Sequence, residues 1–166
     1  MKRNKNFKER FIDLLTKFLF LFAIAMIIVK YLFPFFGIME FCRVSGDSMF
    51  PTLKDKEVII SSRIGMELER GDIVIVEHDG VYVIKRIIGL PGDRIKVKDN
   101  LVYIDDQLYK EEYIYAEQNI YDDVEIKLND DEYFILGDNR GVSIDSRQYG
   151  SININDIVGE VKLVLK

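Results

Sequence analysis

Hydrophobic positions divide the chain into two parts with different periods. From residue 18 to residue 29 they are continuous, and after Lys30 they resume from Tyr31 to Met39. As one helix over residues 18–39 this stretch rises roughly 33 Å, enough to cross a bilayer core of about 30 Å. Phe11, Ile12, Leu14 and Leu15 extend the apolar pattern upstream and leave its start open, while Pro34 kinks or ends it. Beyond residue 40 the period becomes two. Strands are predicted at 57–61, 72–77, 81–88, 94–98, 101–104, 133–136 and 157–165, with a shorter one around Leu108. Turn residues separate them: Asp79-Gly80, Leu90-Pro91-Gly92-Asp93, Asp99-Asn100 and Asp105-Asp106. Residues 111–132 carry nine acids against Lys127 alone and predict a solvated loop with room for one strand. The expected fold is all-β, a meander of antiparallel strands coiling into a partly closed barrel, behind one N-terminal helix.

Charge sharpens the division. The net charge of -5 is the sum of +5 over residues 1–39 and -10 over the rest. So acidic a domain repels phosphates, which excludes nucleic acid as a partner. Five of the first ten residues are basic, which orients residues 1–17 as a cytoplasmic arm, 18–39 as a transmembrane anchor and 40–166 as an extracytoplasmic domain. Lys30 within the span costs about 2.5–3.5 kcal/mol, reduced as its long stem snorkels to the interface. A cleavable leader would show the same basic start, but residues 30–36 offer no small-x-small exit site. A buried core helix would need a second long helix to cover it, and none is predicted. The single Cys42 permits no internal disulfide, and the single His78, beside a hairpin turn, argues against a histidine-rich metal site.

Three stretches carry candidate chemistry. Ser48 lies between Gly46, able to adopt positive φ, and Pro51, which stiffens the exit. In strand 81–88, Val81, Val83, Lys85 and Ile87 share one face. Burying Lys85 among aliphatic groups favours the neutral amine, a general base, whereas the guanidinium of Arg86 stays charged. In Gly137-Asp138-Asn139-Arg140-Gly141-Val142-Ser143-Ile144-Asp145-Ser146-Arg147, the Ser143 hydroxyl can hold an amine in place and Asp145 can pair with Arg147 to stiffen the loop.

Together these stretches resemble the type I signal peptidases, membrane-bound serine proteases with a Ser-Lys dyad. The likeness rests on Ser45-Gly46-Asp47-Ser48-Met49-Phe50-Pro51-Thr52-Leu53, Arg70-Gly71-Asp72-Ile73-Val74, Tyr82-Val83-Ile84-Lys85-Arg86-Ile87-Ile88-Gly89-Leu90-Pro91-Gly92-Asp93 and the 137–147 stretch. It implies Ser48 as nucleophile, Lys85 as general base, Ser143 as the hydroxyl that positions the lysine, Asp145 and Arg147 as a supporting ion pair, and Asp138 and Arg140 as residues that shape the site. The Ser48 N–H would be one oxyanion donor; the second sits two residues upstream in some members, where this chain has Gly46. The resemblance further implies acyl transfer without metal or organic cofactor. Its substrates are secretory precursors with small residues at the first and third positions before the cut, bound as an added strand. Met49, Phe50, Phe35 and Phe36 would rest on the lipid bilayer or pack in a core. A specialised relative that processes or assists assembly of a few surface proteins such as pilins is the alternative. A soluble Ser-Lys self-cleaving repressor would instead carry a DNA-binding amino terminus.

Overall fold

The computed structural model describes residues 7–32, 39–99, 101–114 and 123–165. It divides into two compact units, Met1–Glu40 and Phe41–Lys166. In the first, helix α1 runs Phe7–Ile27, and one wider turn, Ile28–Leu32, follows it. The helix begins well ahead of the continuous apolar run because Phe11, Ile12, Leu14 and Leu15 continue its pattern. Lys17 also donates to Asp13 at 3.1 Å one turn earlier. Residues Lys8–Tyr31 are long and apolar enough to cross a membrane, and their side chains are exposed. Pro34, Phe35 and Phe36, and with them the expected end of the span, lie outside the described residues.

The second unit is built of strands β1 (Glu40–Arg43), β2 (Val58–Ser62), β3 (Ile73–His78), β4 (Val81–Gly89), β5 (Arg94–Lys98), β6 (Leu101–Ile104), β7 (Gln107–Tyr109), β8 (Val124–Lys127), β9 (Glu132–Leu136), β10 (Ile152–Asn153) and β11 (Ile157–Leu165). A four-residue helix, α2, covers Ser146–Tyr149. Seven strands form one sheet in the order β1-β2-β11-β3-β4-β9-β10, and four form another in the order β7-β6-β5-β8. The β3–β4 hairpin turns at Asp79-Gly80, both with positive φ, and pairs Val74 with Lys85 and Ile75 with Ile84. That register puts alternate residues of β4 into different packing layers. Val83 and Ile87 lie with Val74, Val76 and Ile135, while Ile84 lies with Ile75, Ile59, Met49 and Leu53. A third cluster, including Ile88, Phe134, Ile95 and Val102, joins the two sheets.

Two expectations need correction. The sheets are antiparallel and packed on one another, yet neither closes into a barrel. The larger ends at β1 and β10 and the smaller at β7 and β8, with no ladder between edges among the described residues. Closure needs a hydrogen-bonded partner for each edge, and β10 offers only two residues between α2 and a 3₁₀ turn at Ile154–Asp156. The acidic stretch is also not solvated throughout. It supplies the expected strand as β8, but it also buries Glu111 against Arg140. Residues 115–122 of it lie outside the described set.

Candidate active site

Ser48 is presented by a tight turn whose flanks are anchored in the core. Leu53 N–H donates to Met49 O at 2.9 Å, and both side chains are buried, so Met49 packs inside rather than at a surface. Gly46 has φ of +86°, with open space where a Cβ would stand, so conformation rather than crowding calls for glycine there. Its N–H donates to Asp55 Oδ1 at 3.0 Å. Ser48 O accepts from Asn139 N–H at 3.0 Å, and the Asn139 side-chain amide donates to Asp47 O at 3.0 Å. The Ser48 N–H has no hydrogen-bond partner among the described residues.

Strand β4 delivers Lys85 to this turn. Its Nζ lies 3.2 Å from Ser48 Oγ and donates to Ile84 O at 3.0 Å. Only 4% of the residue is exposed. Burial pushes the amine below the ordinary lysine range, against the charge of Asp145, which pulls it back up. The next residue behaves oppositely. Burial alone would lower the Arg86 pKa, but hydrogen bonds to and the charge of Asp138 outweigh it and raise it. Arg86 donates to Asp138 through Nε at 2.8 Å and Nη2 at 2.6 Å, and to Gly71 O through Nη1 at 2.6 Å.

The loop after β9 brings in the remaining predicted residues. Gly137 permits the close approach: a Cβ there would stand 2.3 Å from Ser143 Oγ and 2.6 Å from Ser48 O. Asp145 N-caps α2 and accepts from Arg147 at 2.7 and 2.9 Å and from Gly137 N–H at 3.0 Å. Arg147 also donates to Arg140 O at 2.8 Å and Ser143 O at 3.2 Å, so its contacts tie several points of this loop together. Arg140 does not meet Asp138. It donates to Gly137 O at 2.9 Å and pairs with Glu111. Ser143 is buried, but its Oγ has no hydrogen-bond partner among the described residues, and the bonds of Lys85 go to Ser48 and Ile84. His78 stays outside this group and stacks on Tyr149, with ring centroids 4.1 Å apart. Cys42 is a free thiol.

Sequence reasoning passed over Glu111, Tyr113, Thr52 and Asn139. Thr52 donates to Asp138 at 2.5 Å. The Tyr113 ring lies 4.0 Å from the Arg86 guanidinium, and its hydroxyl donates to Glu111 at 2.8 Å. A count of charge held the signal for Glu111: Arg86 and Arg140 stand in two of the quoted blocks, and Asp138 can neutralise only one of them.

Comparison with known proteins adds an independent line. A family profile described as "Signal peptidase, peptidase S26" matches residues 15–166. Among curated proteins, Signal peptidase I S of Bacillus subtilis is 37% identical over 73% of this chain and 73% of its own length. Signal peptidase I of Bacillus licheniformis is 33% identical over 98% of this chain and 92% of its own. A crystal structure of a signal peptidase I from Enterococcus faecalis matches with a TM-score of 0.49 at 28% identity, over 61% of this chain and 98% of that one.

Proposed function

Since the chain belongs to the signal peptidase family, peptidase S26, we propose that it removes signal peptides from secreted precursors as a membrane-anchored serine endopeptidase with a Ser48–Lys85 dyad. The observation that carries the proposal is the 3.2 Å contact between Ser48 Oγ and an amine that is almost wholly buried. Neutral Lys85 takes the Ser48 proton as Oγ attacks the scissile carbonyl carbon. The resulting ammonium returns that proton to the departing amine, leaving an ester on Ser48. Water, deprotonated by the same amine, then hydrolyses the ester and frees the signal peptide's carboxylate. The unpaired Ser48 N–H supplies an oxyanion donor. Position 46 adds no side-chain donor, and its N–H is held by Asp55.

Ser143 Oγ, buried without a partner, is the spare acceptor for the ammonium that forms on Lys85. Asp145 with Arg147, and Asp138 and Arg140 with their own partners, hold the loop that carries it. Substrate with small residues at the first and third positions before the cut would add as a strand. Support for this comes from β4, which pairs with β9 only from Arg86 onward and, among the described residues, leaves one edge of Val81–Lys85 without a ladder. The apolar helix would anchor the enzyme with its amino terminus in the cytoplasm and the catalytic unit outside. The test is to incubate the purified protein with a secretory precursor carrying an Ala-x-Ala site and to sequence the new amino terminus. Cleavage after that site is expected, and absence of cleavage contradicts the proposal.

A further inference from the structure

The geometry points to Glu111 and Tyr113 as positioning residues for the Ser48–Lys85 pair, an inference that rests on the function proposed above. The local chain alternates. Lys110 and Glu112 project into solvent, with side chains 85% and 80% exposed, whereas the Glu111 side chain is 3% exposed. At the start of an acidic stretch, one carboxylate has thus been taken out of water. Its partner Arg140 is also 3% exposed, so each is the charge that permits the other to be buried.

What these two residues touch decides their role. Tyr113 covers the guanidinium of Arg86, the residue next to Lys85 on β4, and its hydroxyl donates to Glu111. Burial, then the charge of Glu111 and the hydrogen bond to it, raise the Tyr113 pKa, which keeps the hydroxyl a donor. Glu111 in turn holds Arg140, whose Nε donates to Gly137 O. Between Gly137 and Arg140 lie Asp138, gripped by Arg86, and Asn139, whose N–H holds the Ser48 carbonyl. One end of this chain of contacts is therefore the strand that carries the base, and the other is the peptide that carries the nucleophile. Arg86 and Asp138 already neutralise each other without Glu111 or Tyr113. What the two add is a fixed separation between β4 and the 137–140 loop, on a scale where a 1 Å misplacement costs about 100-fold in rate.

The experiment measures kcat and KM per folded molecule, with folded fraction from thermal unfolding, on an Ala-x-Ala secretory precursor. Glu111→Gln and Tyr113→Leu are expected to lower kcat about 10- to 100-fold with KM within about twofold. Tyr113→Phe keeps the ring over Arg86 and loses only the bond to Glu111, so it should recover most of the rate and fall about threefold short of wild type. Glu112→Gln, at an exposed neighbour, should match wild type. Wild-type kcat in the folded Glu111→Gln and Tyr113→Leu proteins, or a loss confined to KM or to the folded fraction, overturns the inference. If neither protein folds, Tyr113→Phe decides, and an unchanged kcat there also overturns it. Ser48→Ala in the same assay separates the two levels. An active Ser48→Ala enzyme removes the proposed dyad and this inference together, whereas an inactive one beside fully active Glu111 and Tyr113 variants removes only this inference.

Discussion

Lys85 and Arg86 are neighbours on one strand, both buried, and they have opposite electrostatic fates. Arg86 meets both oxygens of a carboxylate, a backbone carbonyl and an aromatic face, and its charge is held. Lys85 meets a hydroxyl and a carbonyl, and its hydrogen bonds reach no carboxylate. Alternation along a strand sends the two side chains to opposite faces, so one residue of sequence separates a structural cation from the proposed base. Burial sets the cost of a charge, and the partners on each face decide whether that cost is met.

Breaking the Lys85 face should have the largest effect. Ser48→Ala or Lys85→Ala is expected to reduce precursor cleavage by about 10⁴-fold or more, measured by single-turnover product formation. Cleavage by either variant at the wild-type rate removes the dyad. Breaking the Arg86 face should strike folding instead. Arg86→Met leaves the fully buried Asp138 without its ion-pair partner and should cost about 3–5 kcal/mol in urea unfolding. A variant as stable as wild type would mean that the pair contributes nothing.

Smaller changes sharpen the contrast. Lys85→Met should stabilise the folded state by about 1–2 kcal/mol near neutral pH, because an amine that the proposed function requires is replaced by an apolar chain of similar length. The sign follows from linkage. The folded pKa of Lys85 lies below its ordinary 10.5, so the unfolded chain holds the proton more tightly. The penalty is full below the folded pKa and fades as pH rises towards 10.5, and the advantage of methionine should shrink over that window. An advantage that grows with pH contradicts the shift. Asp145→Asn removes the charge that opposes this lowering, so the acid limb of its pH–rate profile should move to lower pH. A move to higher pH would show that another group dominates.

The strand that carries Lys85 and the turn that carries Ser48 were legible in sequence because they depend on local pattern, whereas the roles proposed for the two residues came from the resemblance of their blocks to a known family. Alternation through Val81, Val83, Lys85 and Ile87 gave the strand and the face, and Asp79-Gly80 gave the hairpin that sets its register. The spacing Gly46, Ser48, Pro51 marked a turn. Three features escaped, each for a physical reason. The helix at Ser146–Tyr149 is too short for a 3.6-residue period and is held by its Asp145 capping box. The burial of Glu111 depends on an arginine far along the chain, whereas its neighbours Lys110 and Glu112 are charged residues that read as solvated. Barrel closure is a question of which edges meet, and alternation within a strand carries no information about that.

The central claim is that a desolvated Lys85 works as a neutral base on Ser48. The most direct test is the pH dependence of single-turnover precursor cleavage between pH 5 and 9. A rate that climbs with pH along a limb governed by one deprotonation, with its midpoint below 10.5, is the predicted result. A rate that stays flat across that range contradicts it.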